Sequence, residues 1–164
     1  MVAEVKITSN TIQIANEIKG ISRKMSSAIK KSLANVSAFE IKEIRSRTQS
    51  KGVDAFGRKF KPYSPNYKRA GVKQSGVVDL TDTGQMFSSL TSKISASKGV
   101  LFFRRNAESK KASFHDLFGV GKNKITRQFF RISKDEQKKI RTIFSKVLAR
   151  ELKLWVKEKI LQVI

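Results

Sequence analysis

"TIQIANEIKGISRKMSSAIKKSLANVSAFEIKEIRSR", Thr11 to Arg47, sets the frame of the chain. Ile14, Ile18, Ile21, Met25, Ile29, Leu33 and Val36 recur every three or four residues, the spacing of one helix face. Phe39 and Ile44 prolong the stripe. Asn10 stands where a cap is needed, and "TQSKG", residues 48–52, supplies the stop. Gly20 lies inside and costs about 1 kcal/mol relative to Ala. A helix of this length spans about 50 Å. One small core needs less, so the helix is expected to pack on a neighbouring molecule as well.

Outward from this helix the pattern changes. "VAEVKIT", residues 2–8, alternates weakly and reads as a short first strand. Residues 49–79 read as a long loop, and a loop of that length in a compact domain is usually functional or mobile. "DLTDTGQMFSSL" follows, with Asp82 and Gln85 spaced as a capping box. A short helix is predicted over 83–90, with Met86 and Leu90 inward. "SKISASKGVLFFRR" reads as a hairpin turning at Lys98-Gly99. "ESKKASFHDLFG" suits a short helix ended by Gly119, and "KITRQFFRI" a further strand. "SKDE", residues 133–136, is a second capping box, Ser133 with Glu136. The helix it opens carries Ile140, Ile143, Phe144, Val147, Leu148, Leu152 and Trp155 on one face and is predicted to run to about Ile160.

The 164 residues suggest a single domain: strand and long helix over 1–48, an arm over 49–79, short helices and a hairpin over 80–132, and a last helix over 133–162. Eleven Phe provide for a core, and the formal charge of +22 is spread along the chain rather than held in one tail. A body this cationic repels itself unless polyanions or acidic partners are near. The absence of cysteine excludes disulfides and thiolate chemistry. No apolar run approaches the roughly 20 residues of a membrane span, and no signal pattern opens the chain, so a soluble protein is expected.

Catalytic motifs are missing. His115 is the sole histidine; beside it, Asp116 points about 100° away on a helix, so the pair is read as structural. Asp54, Asp79 and Asp82 match no metal loop, and zinc lacks ligands. No catalytic residue, cofactor site or metal site is expected. The long loop is more eventful. "GRKFKPYSPNYKR", residues 57–69, holds both prolines and both tyrosines of the chain. Arg58, Lys59, Lys61, Lys68, Arg69 and Lys73 interleave there with Phe60, Tyr63 and Tyr67. Basic groups among aromatics suit a polyanion or an acidic neighbour. The plain alternative is a solvated loop whose aromatics fold back on the core. The basic surface of the last helix, interrupted by Glu151 and Glu158, reads as the outside of a packed helix.

The order of these segments resembles the virion morphogenesis (tail-completion, or neck) proteins of tailed bacteriophages. The likeness runs from about residue 52 to 136. It rests on the turn at Asp54 and Gly57 leading to Phe60, then Pro62 and Ser64, then Leu80 with Thr83, Gly84 and Leu90. His115 with Gly119, and Arg127 and Phe129 ahead of Ser133, complete it. Met86 stands where an aliphatic residue is commoner, and "HDLFG" carries one extra residue. The resemblance implies an α+β fold, a long N-terminal and a C-terminal helix on a small antiparallel sheet with a long arm at about 49–79. It implies a structural protein, not an enzyme, located in the virion neck after synthesis in the host cytoplasm. Its partners would be copies of itself in rings of roughly six or twelve, a connector, adaptor or stopper ring, tail terminator or tube proteins, and channel DNA bound without sequence preference. No membrane is implied. On this reading the loop is an assembly arm. Pro62 and Pro65 stiffen it, Phe60, Tyr63 and Tyr67 anchor a neighbour, and Arg58, Lys59, Lys61, Lys68, Arg69 and Lys73 meet DNA or acidic groups. The rival is a non-specific DNA-binding or packaging protein acting outside the virion; a small nuclease or toxin is a third, weaker reading.

Overall fold

The computed structural model describes residues 11–63 and 77–161. The expected first strand, and Ser64, Pro65, Tyr67, Lys68, Arg69 and Lys73 of the arm, lie outside the described residues.

Helix α1 spans Thr11–Arg45, and the chain continues in a π-helical turn, Ser46–Ser50. Helix α2 is Gln85–Ser89, strand β1 Leu90–Ile94 and strand β2 Gly99–Phe103. Helix α3 is Asn106–Ser113, followed by a second π-helical turn, Phe114–Phe118; helix α4 is Lys134–Leu161. The fold is α+β: two long helices and a small two-stranded antiparallel sheet.

The long helices run antiparallel. Arg47 pairs with Glu136 at one end of the contact, and Lys31 Nζ lies 2.6 Å from Glu151 at the other. The capping box of α4 forms as its sequence requires. Ser133 N–H donates to Glu136 Oε2 at 2.7 Å, and Glu136 N–H to Ser133 Oγ at 3.2 Å. All seven apolar residues of the α4 face are only half-buried.

In the hairpin Leu90 pairs with Phe103 and Ile94 with Gly99. Ser95 N–H donates to Lys98 carbonyl at 2.8 Å, so the turn covers 95–98. The core lies where the hairpin, α2 and α3 meet the C-terminal part of α1. It comprises Ile44, Phe60, Leu80, Met86, Phe87, Leu90, Phe103, Ala112 and Phe129. Phe129 is fully buried, with Phe87 5.5 Å away edge-on and Phe103 at 6.3 Å. Burying each such ring contributes roughly 2 kcal/mol.

Three local expectations are corrected. The helix predicted over 83–90 is shorter, because Gly84 at φ 74 turns the chain immediately before it and Leu90 already opens β1. No Asp82–Gln85 box forms; Thr83 Oγ1 accepts weakly from Gln85 N–H, at 3.5 Å. "KITRQFFRI" forms no strand: Ile125 alone makes an isolated bridge, with Val120, and the other backbone groups find different partners. Arg127 N–H donates to His115 carbonyl, Phe129 N–H to Arg127 carbonyl, and Phe130 N–H to Asp116 Oδ1.

Candidate interaction surfaces

The first half of the expected arm is folded onto its own body, and Asp54 explains how. Its Oδ1 accepts from the N–H groups of Phe56 (2.8 Å) and Arg58 (2.9 Å), while Oδ2 pairs with Arg58 Nε at 2.7 Å. Gly57 closes the turn at φ 80. Val53 then bridges Lys59, and the chain leaves as an extended segment in which Lys59 and Lys61 face solvent and Phe60 faces inward. Phe60 is therefore a core residue, 8% exposed, and not a free anchor. Arg58 remains largely exposed despite its partner and lies over the exposed ring of Phe56, 5.2 Å from its centroid.

Pro62 and Tyr63 are held by a residue far along the chain. Arg127 Nη2 donates to the carbonyls of Lys61 (3.0 Å) and Pro62 (3.2 Å), and its guanidinium lies 5.2 Å from the Tyr63 ring centre. Tyr63 Oη accepts from Leu80 N–H at 3.0 Å. Leu80 has φ 52, the left-handed region, which costs a non-glycine residue about 1 kcal/mol. Pro62, Tyr63, Leu80, His115, Val120, Ile125 and Arg127 line one cleft of about 640 Å³.

His115 faces this cleft and not its sequence neighbour. Burial first, then the nearby Arg127, push its imidazole pKa below the usual range, which favours the uncharged ring, and its buried Nδ1 makes no hydrogen bond to the described residues. Asp116 points elsewhere, to Phe130 N–H and to Arg131 Nη1 at 2.6 Å. The pair therefore forms no dyad. Among the described residues no cluster of His, Cys, Asp and Glu could hold a metal, and no helix is long and apolar enough to cross a membrane.

Arg47 is the second buried guanidinium. It is held by Glu136, by Glu40 Oε1 at 3.8 Å, and by the carbonyls of Phe129 and Arg131. Glu40 is 2% exposed and neither oxygen has a hydrogen-bond partner. Burial first, then Glu136, pushes its pKa up to about 7 against the pull of Arg47.

Two groups of apolar side chains are exposed, one on the α1 stripe that the sequence marks for a neighbouring molecule and one that it does not single out. Ile18, Ile21 and Met25 of α1 are 60%, 48% and 39% exposed. Phe114, Leu117 and Phe118 of the second π-helical turn are 53%, 54% and 64% exposed, with the two rings 6.0 Å apart. Their i, i+3, i+4 spacing was readable, but spacing does not say whether a face points inward. Asp116 on this turn pairs with Arg131, whose carbonyl accepts from Arg47, so the turn is tied through Arg131 to the segment just beyond the C-terminal end of α1. The Ile18–Met25 stripe is at the other end, some 30–40 Å along the helix.

Compared with family models, with curated proteins and with solved structures, the chain finds no match.

Proposed function

We propose that the chain is a structural subunit of the head–tail junction of a tailed bacteriophage, closing into a ring around the DNA channel between connector and tail. The observation that carries this reading is the pair of unlike apolar surfaces near opposite ends of α1. Closed head-to-tail rings need two different complementary surfaces on each subunit. Contiguous exposed apolar groups mark such contacts. Five residues that bear the resemblance favour a structural role, because they are joints of the frame: Asp54 builds a turn, Phe60 and Phe129 fill the core, Arg127 ties two segments, and Ser133 caps α4. The charge of +22 suits subunits that surround a polyanion without reading its bases. The role is structural rather than catalytic, and the place is the virion neck, against adaptor or stopper and terminator rings.

The exposed cations Arg58, Lys59 and Lys61 remain candidates for DNA or acidic neighbours. The same charge favours a second reading, a free protein coating DNA. Class averages of negatively stained virions and the mass of the purified protein separate the two. A ring, or the chain found in the neck, supports the first. A monomer absent from particles that coats DNA supports the second.

A further inference from the structure

Among the described residues two arginines are buried, and they are treated unequally. Arg47 is met by two carboxylates. Arg127 is 3% exposed, yet among the described residues no carboxylate pairs with it. Carbonyls at Lys61 and Pro62 take its Nε and Nη2, and Nη1 makes no hydrogen bond to the described residues. Asp82, the carboxylate at the cleft rim, is exposed and forms no pair with it. A cation removed from water without a counter-charge is costly, and here burial lowers the guanidinium pKa. The carbonyls and the Tyr63 ring orient the fork and offset part of the cost, but among the described residues no carboxylate balances its charge.

We propose that the cleft beside Arg127 binds an acidic–apolar peptide segment of a partner protein, whose carboxylate pairs with the Arg127 guanidinium. Guanidinium forks match carboxylates in geometry. Pro62, Leu80, Val120 and Ile125 supply apolar walls, and a volume of about 640 Å³ is in the range of ligand-sized sites. His115 also lines this cleft and so reports on what enters it, while its Nδ1 is itself buried and makes no hydrogen bond to the described residues. Lys122 lies at the exposed edge and extends the attraction for acidic groups outward. Duplex DNA fits poorly, because its phosphates meet exposed cations and cannot follow a recessed guanidinium into an apolar cleft. The inference is independent of the ring reading: a monomer presents the same cleft, and ring closure does not require it to be filled.

The sole histidine gives a unique NMR reporter. The intact chain is titrated with hexanoate, which carries a carboxylate on an apolar tail, with hexanamide, which lacks the charge, and with inorganic phosphate, which lacks the tail. The expected result is a saturable shift of the His115 imidazole signals with hexanoate at millimolar concentration. At saturation the His115 titration midpoint moves up, because a bound carboxylate stabilises the imidazolium. Hexanamide and phosphate should bind at least about tenfold more weakly. Arg127→Lys, its fold checked by circular dichroism, should lose most of the hexanoate response. The comparison of the three compounds on the unaltered chain stands even where that variant fails to fold. A phosphate response equal to that of hexanoate, or no saturable response to hexanoate, overturns the proposal.

Discussion

Glu40 is a carboxyl that folding makes harder to ionise, since burial and Glu136 outweigh the pull of Arg47, with Glu43 adding to the rise. Its folded pKa of about 7 lies above the ordinary 4.5, so the folded state binds the proton more tightly than the unfolded state does. The resulting stability is full below pH 4.5 and is lost as pH rises to about 7, at most about 3 kcal/mol. His115, its pKa lowered, works in the opposite sense below its usual range. The difference between the wild type and Glu40→Gln therefore isolates the carboxyl. Urea unfolding should find the two alike near pH 4 and the variant more stable at pH 8. Equal stabilities at both pH values would refute the assignment. The glycines offer a second contrast. Gly84 and Gly119 both have positive φ, but a Cβ at Gly84 meets nothing within 4 Å, whereas one at Gly119 falls 2.2 Å from the Lys124 carbonyl oxygen. Gly119 also combines φ 83 with ψ 153, a region almost reserved for glycine. Gly84→Ala should cost about 1 kcal/mol and Gly119→Ala roughly 3 kcal/mol or more by the same unfolding measurement.

Helix α4 begins where two functions share one side chain. Glu136 completes the capping box and also pairs with buried Arg47. Ser133→Ala removes only a cap and should cost about 1 kcal/mol. Glu136→Ala strips a buried cation of its nearest carboxylate as well, and should cost roughly 3 kcal/mol. Equal losses in chemical denaturation would mean that the Arg47 pair contributes nothing. These helices were legible because their evidence is local: the apolar period from Ile18 to Val36, and Ser133 three residues before Glu136. The hairpin was legible from alternation on either side of its turn. The segment after Gly121 was not, because its fate depends on partners outside it: His115 and Asp116 on the preceding turn, and Lys61 far away in sequence. Phe60 was misplaced for the same reason. It sits in a basic loop, and only the alternation of Lys59, Phe60 and Lys61 hints that one of the three turns inward. The cleft was half legible. The sequence marks Pro62 as a stiffener of the arm and Tyr63 as an anchor for a neighbour, yet both are engaged by Arg127, which it marks only through a resemblance. Tyr63→Ala should therefore lower stability as well as alter any docking.

The whole molecule combines uncovered apolar surface with a charge of +22, and the two push association in opposite directions. Apolar contact draws copies together; like charge drives them apart until salt or DNA screens it. Ring closure should therefore strengthen as salt rises in the absence of DNA. Non-specific DNA binding should weaken steeply over the same range. Ile21→Asp with Met25→Asp should leave the fold intact, both side chains being exposed, and should abolish self-association. The most direct test is sedimentation velocity of the purified full chain, without DNA, over a series of salt concentrations. The account predicts a closed species at a multiple of the 18.5 kDa subunit mass, favoured by salt and lost in the double variant. A monomer at every salt and protein concentration would contradict it.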